Sequence, residues 1–99
     1  MALAVDINTA KFTWSWLQGT GGTATGFEIG LGTAAGTYGT FKPVALAARE
    51  LAVNQVVTTP GTYVAAIRSV GPVLKSGWSN EVTFQGEIAP VAPTAFAVV

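Results

Sequence analysis

The sequence contains no cysteine and no histidine. Without cysteine, neither a disulfide framework nor a thiolate metal site can form. Without histidine, the chain lacks the most common general base and a common metal ligand. The carboxylates are Asp6, Glu28, Glu50, Glu81 and Glu87. They are scattered along the chain, and acid–base catalysis would need two of them to meet in space. We therefore predict a protein that is not an enzyme and that binds no cofactor or metal.

Charged residues are also scarce, at 10% of the chain, and the formal net charge is zero. Soluble domains usually carry about 25% charged residues. Binding to nucleic acid or to an anionic membrane needs clustered lysine and arginine, so neither is expected as a partner. The apolar fraction is 49%. This composition fits either a small stable domain with a threonine-, serine- and glycine-rich surface, or a subunit whose faces are covered by neighbours.

Long apolar runs are missing as well. No stretch approaches the roughly 20 residues of a membrane span. The first residues, MALAVDINTAKF, have neither the basic leader nor the apolar run of a signal peptide. We expect no secretion signal, and Met1 leads us to expect a complete gene product. A length of 99 residues predicts one domain with one core.

What the sequence does contain is alternation with a period of two, which is typical of half-buried strands. The clearest segment is residues 62–82, TYVAAIRSVGPVLKSGWSNEV. We interpret it as a long-looped hairpin, because a loop with Gly71, Pro72 and Gly77 separates a first run to Val70 from a second run that starts at Trp78.

Further strands are predicted before the hairpin, over residues 2–7, 11–17, 27–31, 38–44 and 49–54. Phe12, Trp14 and Trp16 share one face of the second of these. Phe27, Ile29 and Leu31 are predicted to point inward from the third. Residues 44–54 fit either a strand or a short helix because they are rich in alanine, and we favour a strand after one helical turn. Residues 18–26, QGTGGTATG, are a loop without the lysine that a phosphate-binding loop needs.

After Phe84 the alternation stops, so we predict a sandwich over residues 1–84 and an extended apolar arm over residues 85–99. Frayed ends are the default for a chain terminus, but they are usually polar, and this one ends in FAVV. An apolar arm can lie against a neighbouring subunit or add a strand to an open sheet edge. The expected contact residues are Ile88, Val91, Phe96, Val98 and Val99.

About seven short strands with a turn signal roughly every ten residues predict an all-β, seven-stranded antiparallel sandwich of two sheets. Four segments in order resemble a fibronectin type III domain, an immunoglobulin-like sandwich. These are FTWSW (residues 12–16), TGFEIGLGT (25–33), TPGTYVAAIRSV (59–70) and SGWSNEV (76–82). The resemblance covers residues 2–84 and leaves the arm outside it.

This resemblance implies roles for several aromatic residues. Tyr63 would place its ring in the core and bond its hydroxyl to backbone near Pro60. Trp14 and Trp16 would anchor the core between the sheets. Arg68 and Trp78 would form a cation–π pair on the outer face of one sheet, a candidate surface site.

Fold alone does not give a function. The leading hypothesis is a non-enzymatic structural subunit, similar to the accessory proteins that decorate heads, collars or tails of tailed bacteriophage particles. It would be assembled in the bacterial cytoplasm, reside in the virion, and bind other structural subunits or copies of itself. The alternative is an extracellular carbohydrate-binding or spacer module of a secreted bacterial protein. Glycan binding would need Tyr38, Phe41 or Trp78 to be exposed on a common surface.

Overall fold

The computed structural model describes residues 3–99, which form seven strands and one short 3₁₀ helix. The strands are β1 Leu3–Asp6, β2 Lys11–Thr13, β3 Gly26–Gly32, β4 Thr40–Ala45, β5 Glu50–Ala52, β6 Gly61–Val70 and β7 Val82–Glu87. The helix, Val53–Gln55, follows β5 directly. The all-β, seven-stranded prediction is confirmed, and residues 44–54 contain both a strand and a helical turn, in the reverse of the expected order. Ala2, predicted in the first strand, lies outside the described residues.

The strands form two sheets. A five-stranded sheet has the order β1-β7-β6-β3-β4, and a two-stranded sheet pairs β2 with β5. The prediction of a fully antiparallel sandwich is wrong at one place, because β1 runs parallel to β7. A tight turn explains this, since Asp6 accepts hydrogen bonds from the N–H groups of Asn8 and Ala10. The turn carries the chain from β1 to the other sheet, so β1 and β2 do not form a hairpin.

The core lies between the two sheets. Phe27, Ile29 and Leu31 of β3 are all buried, which confirms their predicted inward face. The central cluster consists of Ile7, Leu31, Val53, Val57, Ala65 and Phe84. Phe84 packs edge-to-face on Phe12 and stacks on Tyr63, with ring centroids 5.7 Å apart in each pair. Burial of such side chains stabilises the fold by about 1.5–3 kcal/mol each.

Tyr63 makes the contact that the resemblance implied. Its hydroxyl donates a hydrogen bond to the backbone carbonyl of Thr59 at 2.7 Å, one residue before Pro60. The Thr59 hydroxyl lies 3.1 Å from the same oxygen. The bond fixes the turn that leads into β6 while the ring remains in the core.

Trp14 and Trp16, which were expected to anchor the core between the sheets, pack on it from outside the central cluster. Both are half-buried, and each packs edge-to-face on Phe27, with centroid distances of 5.8 and 5.4 Å. β2 ends at Thr13, earlier than predicted, because its ladder with β5 stops after the Trp14 N–H bonds to the Arg49 carbonyl. The two tryptophans therefore cover Phe27 at one end of the sandwich.

The second strand of the predicted hairpin is displaced toward the C-terminus. β7 begins at Val82 and not at Trp78, and it continues to Glu87. Its last four residues pair with β1, which supplies a neighbour that the sequence pattern did not reveal. The arm therefore starts at residue 88 and not at residue 85.

None of the described residues forms a helix long and apolar enough to cross a bilayer.

Candidate functional site

A group of aromatic and charged side chains covers part of the outer face of the five-stranded sheet. We call it the outer-face cluster, and it comprises Glu28, Tyr38, Phe41, Arg68, Lys75, Trp78 and Glu81. The Arg68 guanidinium carbon lies 4.1 Å from the centroid of the Trp78 ring, within the range of a cation–π interaction. The structure therefore brings together the two residues predicted as a surface site.

Two serines hold Trp78 in place. The N–H groups of Ser76 and Ser79 donate to the carbonyls of Ser69 and Ile67 at 2.9 and 2.8 Å. Their hydroxyls accept from the N–H groups of the same two β6 residues at 2.9 and 3.0 Å. The serines thus replace a regular strand ladder beside β6, and Trp78, which lies between them, crosses the face of the sheet.

Gly30 is needed beneath Trp78. A Cβ atom on this residue would lie 2.9 Å from Trp78 Cη2 and 3.0 Å from Tyr38 Cγ. Real Cβ atoms do not approach other heavy atoms so closely, and both neighbours are parts of rigid rings. A glycine in the middle of β3 therefore lets two aromatic rings rest on the backbone of the sheet.

The charges of the cluster are paired. The Glu28 Oε1 atom accepts hydrogen bonds from Arg68 Nη2 at 2.6 Å and Nε at 3.0 Å. Lys75 Nζ lies 3.3 Å from the other carboxylate oxygen. Glu28 and Arg68 are direct partners in the β3–β6 ladder. The hydrogen bonds from Arg68 lower the pKa of Glu28 below its ordinary value of 4.5, and Lys75 acts in the same direction.

A second polar contact links the β3–β4 connection to Glu81, the residue before β7. The Tyr38 hydroxyl donates to Glu81 Oε2 at 2.6 Å, and the Gly36 N–H donates to the same oxygen at 2.8 Å. The bond from Tyr38 lowers the pKa of Glu81 and raises the pKa of Tyr38 itself. Both contacts keep the Tyr38 ring on the outer face of the sheet.

The aromatic rings largely cover one another. Tyr38 packs edge-to-face on Trp78 with centroids 4.9 Å apart, and Phe41 stacks on Trp78 at 6.2 Å. Tyr38 and Trp78 are half-buried, whereas Phe41 is 48% exposed. The three rings do share one surface, as glycan stacking would require, but Phe41 is the one that presents most of its area to solvent.

The pKa of Glu28 leads to a prediction for the substitution Glu28→Gln. Since the folded-state pKa lies below 4.5, the carboxylate stabilises the fold above that pH, and the contribution is lost as the pH falls through the lowered pKa. At pH 7 we expect the variant to lose about 0.5–1 kcal/mol of unfolding free energy. Urea denaturation of both proteins between pH 7 and pH 3 checks this. A difference that does not shrink in acid would contradict the assignment.

The predicted interaction residues of the arm lie together in an uncovered segment. Residues 88–99 form neither helix nor strand. Val91, Phe96 and Val98 are 94–96% exposed, Val99 is fully exposed, and Ile88 is 50% exposed. The radius of gyration is 16.8 Å, against about 13 Å for a compact chain of this length. The arm therefore extends away from the sandwich and does not fold back on it.

Sequence reasoning missed an apolar cleft between β2 and the segment that leads into β7. Its volume is about 370 Å³, and its apolar lining is Phe12, Trp14, Ile29, Ala65, Ala66, Ile67 and Val82. The Nε1 atom of Trp14 is buried and has no hydrogen-bond partner among the described residues. A buried donor without a partner costs about 1–3 kcal/mol. The alternation of residues 12–16 predicted that Trp14 packs in a closed core, and a closed core leaves no room for a cleft.

Comparison of the chain with protein-family models, with curated proteins and with solved structures gave no match. Within residues 3–99, no three acidic side chains gather as a metal site would require. The function must therefore be argued from the outer-face cluster, the arm and the cleft.

Proposed function

We propose that this protein is a non-enzymatic structural subunit that joins other protein subunits through its C-terminal arm. The single observation that carries this proposal is the exposure of Val91, Phe96, Val98 and Val99 at the end of an otherwise folded chain. Burial of a valine or phenylalanine side chain contributes about 1.5–3 kcal/mol. An arm with several such side chains therefore gains considerable free energy when a neighbour covers it, and exposed apolar patches commonly mark interaction sites.

We further propose that the body is a fibronectin type III-like sandwich. The segments that resemble this family include β2, β3 and β6, and the fourth runs beside β6 into β7. β3, β6 and β7 are consecutive neighbours in one sheet, whereas β2 lies in the other. The hydrogen bond from Tyr63 to Thr59 also fits the family. An experimental structure with β2 in the same sheet as β3 would contradict this assignment.

The setting that we propose is a bacteriophage particle, assembled in the bacterial cytoplasm. Low charge, a small body and an apolar arm suit a subunit that decorates a larger assembly. Trypsin cleaves after Arg49 and after Arg68, so the peptide of residues 50–68 is a convenient marker of this protein. Mass spectrometry of purified particles from a phage that carries the gene should detect this peptide, and its absence from intact particles would contradict the virion setting.

The arm is tested by removing it. We expect the full-length chain to self-associate and a chain ending at Glu87 to be a folded monomer, because the truncation removes residues 88–99 and no part of the central core. Light scattering across a range of concentrations gives the mass, and circular dichroism verifies the fold. If both chains remain monomers at all concentrations, the arm is not an element of self-assembly and the structural proposal loses its main support.

A second candidate function, glycan binding, is favoured by the common surface that Tyr38, Phe41 and Trp78 share. Aromatic rings stack on the apolar faces of sugars, and Phe41 is the most exposed ring of the three. Glycan-array screening of the full-length protein beside a Phe41→Ala variant distinguishes the candidates. Binding that disappears in the variant would support a carbohydrate-binding module.

A further inference from the structure

One edge of β2, along the cleft, has no partner strand among the residues that the structure describes. In an antiparallel ladder, alternate residues direct their N–H and C=O groups to the partner strand. The Trp14 N–H bonds to the Arg49 carbonyl, and the Ala10 carbonyl accepts from Val53. The even-numbered residues therefore face β5, and the backbone groups of Lys11, Thr13 and Ser15 face the opposite side. Because β1 lies in the other sheet, it does not cover this edge.

The cleft beside this edge has a mainly apolar lining, with Thr13, Ser15, Ser79 and Asn80 as its polar members. Its lining contains Phe12, Ile29 and Val82, and no charged residue in the described part of the chain contributes to it. Trp14 also lines the cleft, and its buried Nε1–H group has no partner among residues 3–99. An extended chain segment suits this site, since it carries alternating side chains for the lining and backbone groups for the strand edge.

We propose that the C-terminal arm of a second copy of this chain occupies the cleft as an added strand along β2. The arm would pair with the backbone of Thr13 and Ser15 and direct apolar side chains into the cleft, against Trp14. This inference rests on the proposed function of the arm and names its receptor. Addition of a strand to an open edge is an established mode of peptide recognition.

The end of the arm has the composition that such a strand requires. Residues 94–99, TAFAVV, contain no proline and no charged side chain. In extended conformation, Phe96 and Val98 point to the same side, with alanines between and before them. Ala95 has φ 56° in the free arm, a left-handed value that is unfavourable for residues other than glycine. Pairing with β2 would return it to an extended conformation.

The geometry favours a second copy over the chain's own cleft. The arm leaves the body after Glu87, whose carbonyl accepts from the N–H of Ile7, close to where β2 begins. To enter its own cleft the arm would have to reverse there, yet it extends outward, and the longest dimension of the molecule is 66 Å against 28 and 19 Å for the others. Twelve extended residues reach about 40 Å, which is enough to span to a neighbour.

The first test uses the full-length chain with Ser15→Pro. Proline removes an edge N–H and is otherwise tolerated on edge strands. The matched control is Ala45→Pro, on the outer edge of β4 two residues after the natural Pro43. We expect Ser15→Pro to weaken self-association by about tenfold or more, as loss of edge hydrogen bonds implies, and the control to associate like the unmodified chain. Circular dichroism verifies that both remain folded.

A second measurement identifies the cleft directly. A synthetic peptide of residues 88–99 is added to the chain ending at Glu87, and the three tryptophan indole N–H signals are followed by NMR. The Trp14 signal is assigned from the spectrum of Trp14→Phe. We expect this signal to shift and saturate as the peptide binds, and a peptide in which Phe96 and Val98 are replaced by serine to bind about tenfold more weakly or not at all.

The outcomes separate this inference from the proposed function. If the full-length chain associates but Ser15→Pro associates equally well, the arm binds elsewhere, so the cleft is overturned while the structural role of the arm stands. A monomeric full-length chain whose Trp14 signal matches the peptide-saturated position would show that the arm occupies its own cleft, which overturns the second copy. If removal of the arm changes neither the mass in solution nor the Trp14 signal, both proposals are wrong.

Discussion

Replacing Phe27 with alanine is expected to lower the free energy of unfolding by about 3–5 kcal/mol. Phe27 is 3% exposed, and both Trp14 and Trp16 pack edge-to-face on its ring. Truncation would leave a cavity and also remove the surface on which the two tryptophans rest. Because small domains are stable by only about 5–15 kcal/mol in total, the variant should lose a large fraction of its stability. Urea denaturation followed by tryptophan fluorescence and circular dichroism measures the change.

Phe41→Ala is the matched control for this substitution. It removes the same ring from an outer-face position that is 48% exposed, so we expect a loss of about 1 kcal/mol or less. Equal losses in the two variants would contradict the placement of Phe27 at the buried end of the sandwich. A small loss at Phe27 alone would mean that the tryptophans can close over the cavity.

A second large effect is expected for Gly32→Ala. An added Cβ atom would overlap the backbone carbonyl oxygen of Thr37, which belongs to the turn closed by the hydrogen bond from the Thr37 N–H to Ala34. Since neither backbone segment can move without breaking the β3–β4 connection, we expect a loss of about 3 kcal/mol. Thermal unfolding monitored by circular dichroism is sufficient to detect it.

The control for Gly32 lies in the same connection. Gly39 has no atom within 4 Å of an added Cβ position and no left-handed backbone angle. The substitution Gly39→Ala should therefore be neutral or stabilise the protein by up to about 1 kcal/mol, because it reduces the freedom of the unfolded chain. Effects of the same sign and size at both glycines would show that the turn does not approach β3 as described.

Local periodicity was sufficient to predict the strands that have one buried face. Phe27, Ile29 and Leu31 alternate with outward residues because β3 lies between two neighbours in the sheet and has the core on one side. The hydroxyl contact of Tyr63 was also predictable, since it depends on a turn only four residues away. Features of this kind are determined by short stretches of chain.

Sheet membership was not predictable in the same way. β1 could pair with β2 or with β7, and its own residues do not distinguish these partners. The choice depends on the turn at Asp6 and on the Ile7 side chain, against which Gly86 of β7 packs. The late start of β7 has a similar cause, because the hydroxyls of Ser76 and Ser79 bond to β6 where a regular ladder was expected.

The surface features, too, include some that the sequence predicted and some that it did not. Composition revealed the apolar arm, and the resemblance led to Arg68 and Trp78. The partners Glu28, Lys75 and Glu81 were missed because they lie 40 or more residues from the groups they contact. Only the register between β3 and β6 shows that Glu28 is opposite Arg68. The cleft was missed for the opposite reason, since it results from a strand that is absent beside β2.

The parallel pairing of β1 with β7 gives the body a mechanical property. Leu3 is opposite Phe84 and Asp6 is opposite Glu87, so the two strands run side by side in the same direction. A pull on the arm against the N-terminal end of β1 would load the hydrogen bonds between the strands in shear, all at once, and would not open them one after another. The β1–β7 ladder would therefore resist such a pull until all of its hydrogen bonds break together.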